Sequence, residues 1–305
     1  MEGYIMAYSG DTAFVNQYKA NFEILSQQMG SKLEPYVRIE MQNGEYAFYD
    51  QISKVTTLTE NPARNADTAL LDTPHSRRRV SLNSYFWAEL IDKFDEVKML
   101  ADPKSPYAEN ASYAFGRQKD KSILACAAGT AYTGKTGSTS TTFSTDMIIS
   151  ASGTGTYGTY AGSTSVLNVD KLAGAALLLD SQDVQEEGRV FVAHPRQKHS
   201  LLANTLVTSA DYNSVKALVN GSLDTFYGFK FVWTTEVTVA SGTGIYTCYA
   251  WGPGAILLAV GQDDYGFNAR VEERADKNYS TQLFNSMFIG CTRMDEDRIV
   301  KIECL

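Results

Sequence analysis

Thr73-Pro74-His75-Ser76-Arg77-Arg78-Arg79-Val80-Ser81-Leu82 is the stretch on which the fold turns. It reads as extended chain. Upstream, Tyr36 to Ile39 alternates like a strand, Gly44 turns the chain, and Glu45 to Thr57 continues extended and β-rich. Between the two extended runs lies Glu60-Asn61-Pro62-Ala63-Arg64-Asn65, polar and rich in turn residues. Together they form a long two-stranded excursion with a polar tip. A hairpin of that length has too little core to be stable alone, so it needs a surface to lie on.

The three arginines carry a second message. On a strand, alternate residues point to opposite faces, so Arg77 and Arg79 share a side and Arg78 points the other way. Bidentate pairing of arginine with carboxylates suits contacts between subunits of an acidic protein. A solvated basic strand is the alternative.

Working outward, residues 11–31 are helix-prone. Asp11 or Thr12 can cap the segment, Phe14, Tyr18, Phe22 and Leu25 form one stripe, and Gly30 is a stop signal. The stripe must lie on its own domain or on a neighbouring subunit. Tyr85 to Met99 reads as partly helical, with Trp87, Leu90, Ile91 and Phe94 apolar. Pro103 and Pro106 punctuate the chain. Tyr107 to Ala128 then predicts a long helix led by Asp102 and Ser105 as caps, with Arg117, Lys119, Asp120 and Lys121 on a solvated face.

Residues 129–166, rich in Gly, Ser and Thr, predict β hairpin and loop. Residues 167–251 predict an α/β module. Its parts are a helix over Val169 to Asp180 capped by Asn168, a buried strand over Arg189 to Ala193, and a helix opened by Pro195 and running to Leu206. A further helix over Tyr212 to Val219 and alternating stretches over Phe229 to Val239 and Ile245 to Trp251 complete it. The tail predicts strands at Ala255 to Val260, Phe267 to Glu273, Leu283 to Thr292 and Ile299 to Cys304.

Composition bounds the function. With 305 residues, 44% hydrophobic and 20% charged, the chain can bury a sizeable core. Its 18 Tyr and 14 Phe suit either a protein with many contact surfaces or a tyrosine-rich β fold. The net charge of −8 lacks the basic excess of a dedicated nucleic-acid binder, yet is compatible with lining a container for DNA. Cys126, Cys248, Cys291 and Cys304 are scattered, which predicts single buried thiols in a reducing cytoplasm rather than a zinc site or a disulfide framework. Met1-Glu2-Gly3-Tyr4 does not begin a signal peptide, and apolar runs such as Ala173 to Leu179 fall short of a membrane span. A soluble protein made in the cytoplasm, with no membrane partner, is expected.

One motif points elsewhere. Gly129-Thr130-Ala131-Tyr132-Thr133-Gly134-Lys135-Thr136 fits the phosphate-loop pattern, and Leu177-Leu178-Leu179-Asp180 mimics the acidic run that would hold magnesium. A nucleotide hydrolase using Lys135 is therefore the alternative function. A true phosphate loop leaves a buried strand and enters a helix. This one leaves a predicted helix and enters Gly137-Ser138-Thr139-Ser140, a poor helix start. His75, His194 and His199 do not form a metal set, and Asp263-Asp264 and Asp295-Glu296-Asp297 read as solvated turns. No catalytic residue, metal or cofactor is expected. A carbohydrate-binding or decoration module with the same β-rich tail is a further alternative.

The order of parts (arm, long β excursion, long helix, α/β module, returning β tail) is the plan of the Hong Kong 97-type capsid fold, an α+β architecture. Several segments resemble one family of tailed-phage major capsid proteins: Thr73 to Val80, Trp87 to Asp92, Ala114 to Asp120, Val192-Ala193-His194-Pro195 and Gly228-Phe229-Lys230-Phe231. The resemblance runs from about residue 14 to the end and is weakest over 133–165. It implies an N-terminal arm over 1–35 and an extended loop with its base over 36–95, lying across an adjacent subunit. It also implies a peripheral domain with a spine helix over 96–166, an axial domain over 167–255, and strands returning to the peripheral domain over 256–305.

The implied function is self-assembly, as hexamers and pentamers, into an icosahedral virion shell around double-stranded DNA. Assembly would occur in the bacterial cytoplasm as a procapsid that later matures. A separate scaffolding protein, a portal and a decoration protein are the implied partners, with packaged DNA held only by non-specific proximity. Lys54, Asn61, Arg64, Arg77, Arg78, Arg79, Arg117 and Lys121 are the expected inter-subunit contacts. Lys54 and Asn61 lie where some relatives form a Lys–Asn crosslink, but no matching motif carries that chemistry to this chain.

Overall fold

The computed structural model describes residues 26–92 apart from 56, 57, 59, 61–63, 66 and 69, then 104–156, 158–159, 166–202, 225–240, 242–262 and 266–305. The expected helix over 11–31 lies outside these residues as far as 25, and its described part, 26–31, is not helical; the helix over Tyr212 to Val219 and Asn61 also lie outside them.

The strands and helices follow in chain order. β1 (Arg38–Gln42), β2 (Tyr46–Ile52), β3 (His75–Ser81) and β4 (Asn83–Ile91) precede the long helix α1 (Lys104–Ala128). The Gly/Ser/Thr-rich stretch holds β5 (Ala131–Thr133), β6 (Thr139–Thr141), β7 (Ile148–Ile149), β8 (Thr154–Gly155) and β9 (Gly158–Thr159). Next come α2 (Val169–Ser181), β10 (Val190–Ala193), α3 (Pro195–Leu202), β11 (Thr225–Phe226), β12 (Phe229–Trp233) and β13 (Tyr246–Trp251). The tail is β14 (Ile256–Gly261), β15 (Asn268–Arg274), β16 (Ser280–Arg293) and β17 (Ile299–Cys304).

Three sheets organise the body. One is centred on β16, which pairs β4 and β15 through the same residues and so carries one on each edge. Further along, β16 pairs β14, which pairs β1 in parallel. The second sheet runs β11-β12-β10-β13-β17-β7. Its strand Val190 to Ala193 is buried at every position because α2 covers one face and the other meets α1 and the first sheet. The third is the excursion itself, β2 against β3, extended by β5 and β6. Each fully buried Leu, Ile or Phe contributes about 1.5–3 kcal/mol, against roughly 0–1 for an exposed ion pair. The continuous core around Ile123, Leu124, Trp251, Ile256, Leu258 and Ile289 therefore holds the body together.

Local signals act as expected in several places. The Asn168 side chain accepts from the Lys171 N–H at 2.9 Å and starts α2. Pro195 opens α3, and the His194 Nδ1 accepts from the Arg196 N–H at 3.1 Å. Burial, and then the neighbouring Arg196, hold the His194 imidazole below its ordinary pKa.

Two expectations are corrected. The segment from Tyr85 is strand rather than helix through Ile91: Asn83 to Ile91 pairs residue by residue with Ile289 to Thr281. Trp87, Leu90 and Ile91 have helical spacing, but Tyr85 and Trp87 pack on the core while Phe86 and Leu90 face solvent. That is a period of two, enforced by the partner strand. The last strand also leaves the expected path. Ile299 to Cys304 lies antiparallel to Tyr246 to Trp251 in the second sheet, not with β14 to β16. Its alternate side chains Val300, Ile302 and Cys304 complete the core beneath α2.

Candidate functional site

The excursion splits its arginines as strand alternation requires. Arg77 lies opposite Asp50, donating from Nε at 2.5 Å and from Nη2 at 3.2 Å. Its guanidinium holds the Asp50 carboxyl below the usual carboxylate range. Arg78 points inward and is only 8% exposed. It donates from Nη1 to Glu296 at 3.0 Å, from Nη2 to the second Glu296 oxygen, and from Nε to Gln51 at 3.3 Å. Gln51 in turn donates to the Met294 carbonyl at 2.7 Å. Arg79 faces outward again, its guanidinium 5.0 Å from the Tyr46 ring centre and 4.7 Å from that of Tyr132. The base of the excursion is thus bolted to the body on one face and presents arginines and aromatic rings on the other.

Glu296 is shared. Arg293, with 0% exposure, donates from Nε to Glu296 at 3.1 Å. Its Nη1 donates to the carbonyls of Ala127 at 3.2 Å and Gly129 at 2.7 Å, its Nη2 to Thr141 at 3.4 Å. Those first two carbonyls end α1. A buried cation thus satisfies helix-terminal acceptors and complements the negative end of the helix dipole. One carboxylate thereby joins the excursion, the end of β16 and the end of α1.

The arm's root is seated on the same helix. Asp120 is wholly buried and accepts four hydrogen bonds: Gln28 Nε2 at 2.5 Å, Ser31 Oγ at 2.5 Å, and the backbone N–H groups of Lys32 at 3.0 Å and Leu33 at 3.1 Å. This corrects the solvated-face reading of Asp120. One turn earlier, a Cβ on Gly116 would come within 2.5 Å of the Gly30 Cα, so only glycine lets the arm lie this close. Arg117 donates to Gln27 at 2.6 Å, Lys119 pairs with Glu34 at 2.8 Å, and Lys121 pairs with Glu236 at 3.4 Å. Sequence reasoning marked Arg117 and Lys121 for other subunits, whereas here both have partners within their own chain.

Lys54 and Arg64 are exposed on the excursion. The cysteines are not scattered in space. Cys248 and Cys304 share the core beneath α2, while Cys126 and Cys291 pack on the core around α1; the neighbouring Cys304 thiol and then burial push the Cys248 pKa up, and burial pushes up that of Cys291. Among the described residues no three His, Cys, Asp or Glu side chains converge as a metal site, and no helix is long and apolar enough to cross a membrane.

The phosphate-loop text lies across a helix C-terminus and a β turn. α1 ends at Ala128, β5 begins at Ala131, and the Gly137 N–H closes a turn on the Gly134 carbonyl at 3.0 Å before β6. No helix follows to supply N–H groups and a positive dipole end. Leu178 and Leu179 are core residues of α2, and Asp180 pairs with Arg189 at 2.7 Å. Lys135→Ala is expected to leave folding and thermal stability of the chain unchanged. Nucleotide binding by the parent that disappeared on this substitution would reverse that reading.

Comparison with known proteins adds two findings. The chain matches, over residues 11–305, a family described as phage capsid protein. Its fold is similar to solved capsid structures. The structure described as Mycobacterium phage Che8 is 14% identical, with 95% of this chain and 97% of that chain covered at a TM-score of 0.70. The capsid of cyanophage P-SCSP1u is 17% identical, with 99% and 97% covered at 0.71. The capsid of Ralstonia phage GP4 is 12% identical, with 99% and 98% covered at 0.75. No curated protein matches the chain.

Proposed function

This chain belongs to the phage capsid protein family, and from that premise we propose how its parts build a shell. It is a major capsid protein with the Hong Kong 97-type fold, a structural component of the virion that assembles with copies of itself. The family match over nearly the whole chain carries that conclusion.

In our reading the copies form hexamers and pentamers of an icosahedral shell around double-stranded DNA, first as a procapsid in the host cytoplasm. Residues 167–255 meet around the symmetry axes, and the arm and excursion reach neighbouring copies. Scaffolding, portal and decoration proteins act as separate partners, and the subunit has no catalytic step of its own. The anchoring of both extensions on α1 supports this reading. A subunit that must make heterologous contacts in slightly different settings needs fixed roots and reaching tips. Among the expected contact residues, Lys54, Arg64, Arg77 and Arg79 remain exposed or outward-facing, whereas Arg78 is held inside.

Electron microscopy of the purified chain, alone and with its scaffolding partner, is expected to reveal closed shells. Persistent monomers under both conditions would overturn the proposal.

A further inference from the structure

We propose that His194 is an acid-released cap on α3: its neutral imidazole holds the first turn of that helix at neutral pH, and protonation lets the turn go.

The place of the ring makes it a cap. Pro195 opens α3 and has no N–H, so Arg196 carries the first free donor of the helix. His194 Nδ1 accepts from that N–H at 3.1 Å, and the His194 carbonyl accepts from the Gln197 N–H at 2.9 Å. Asn, Asp, Ser and Thr are the usual residues here, and none of them gains a positive charge. Histidine is the side chain whose ordinary pKa lies in the mildly acidic range. To accept at Nδ1 the imidazole must be neutral, with its proton on Nε2. Once protonated, it turns an N–H towards the Arg196 N–H and the bond is lost.

The neighbours decide whether the charged ring finds another hold. Among the described residues, the titratable and charged groups beside it are Arg196 on α3 and Tyr246 and Cys248 on β13, with Lys198 and His199 further along α3. The His194 and Tyr246 ring centres lie 4.6 Å apart, the planes tilted by 38°. An aromatic face favours a cation, but the Arg196 guanidinium already stands over the Tyr246 ring, 5.7 Å from its centre. Cys248, whose pKa the Cys304 thiol and burial push up, brings no negative charge. Burial, and then the positive charge of Arg196, therefore disfavour the imidazolium.

The turn under this cap is a junction. Buried Gln197 donates to the Leu305 carbonyl at 2.7 Å and accepts from the Leu167 N–H at 3.0 Å. It thereby joins the residue after β17 to the entry of α2. Freeing the turn loosens both, so the module of residues 167–251 becomes less rigid in mild acid. With the folded pKa below the unfolded one, the cap contributes in full above the ordinary histidine value of about 6.5. Its contribution is lost as pH falls through the lower value of the folded chain.

The test is amide hydrogen exchange and ring titration by NMR on the full chain. Between about pH 7.5 and about pH 5 the Arg196 amide should lose protection about ten-fold, relative to its intrinsic exchange rate and in step with the His194 ring. The Phe191 and Val192 amides of β10 should keep theirs. His194→Asn supplies an oxygen acceptor that does not titrate, so the Arg196 amide should be equally protected at both ends of the range. His194→Ala should lack that protection at both. An Arg196 amide in the parent whose protection does not change with pH would overturn the proposal. So would the same acid loss in His194→Asn, or a His194 ring that titrates at or above the ordinary value. If neither variant folds, the ring titration and exchange profile of the parent decide between these outcomes.

Discussion

Replacing Asp120 with alanine is expected to cost about 3–5 kcal/mol of subunit stability and to release the root of the arm. Hydrogen bonds to a charged group contribute roughly 1.5–3 kcal/mol each, and a buried donor left without a partner costs about 1–3. Here one carboxylate serves four donors, two of them backbone N–H groups. Full additivity would exceed the range given, but part of the loss is recovered when the arm lifts and water reaches those groups. Hydrogen exchange should then show the amides of Lys32 and Leu33 losing protection while those of β10 and β13 keep theirs. Asp120→Asn should fall between, since its amide nitrogen faces donors it cannot accept from. An alanine variant within about 1 kcal/mol of the parent, with both amides still protected, would show that the apolar seat of Leu33 alone holds the arm.

Replacing Arg293 with methionine should be comparably damaging, by about 3–5 kcal/mol, because removing one member of a buried ionic network strands the others. The carbonyls of Ala127 and Gly129 lose their donor at the end of α1, and Glu296 keeps only Arg78. Methionine fills much of the volume, so the loss reports on polar groups more than on a cavity. Lysine should rescue little: a point charge cannot serve the Ala127, Gly129, Thr141 and Glu296 acceptors together. Denaturant unfolding of the single and double variants of Arg78 and Arg293 measures the coupling through Glu296. Additive losses would mean that Glu296 is not the joint between the excursion and α1.

Both predictions concern α1 as a common anchor. Asp120 sits within the helix and Ala127 near its end, so arm and excursion are rooted at separate points on one rod. A helix of 25 residues is roughly 38 Å long. Forces on either extension are therefore passed to the same rigid element, which also packs on the core of both large sheets.

Much of this was legible in the residues themselves, wherever a local rule decides. Asn168 capping α2, Pro195 opening α3, and the alternation of Arg77, Arg78 and Arg79 are properties of near neighbours in the chain, and each appears as read. The setting of the phosphate-loop motif was legible for the same reason, since a helix before it and glycine and serine after it are sequence facts. The order of elements, with the resemblance it carries, was enough to identify the fold.

Only the tertiary structure decided which polar groups are buried. Asp120 stands among Arg117, Lys119 and Lys121 and reads as solvated, until residues some ninety positions earlier in the chain cover it. Arg78 and Arg293 meet on Glu296 across a separation of 218 residues on one side and three on the other. The same holds for Tyr85 to Ile91, where spacing allows a helix and only pairing with β16 makes a strand. Local propensities amount to tenths of a kcal/mol, whereas long-range pairing and burial contribute several. Where the two disagree, partners distant in sequence set the outcome, and a single chain of letters does not name them.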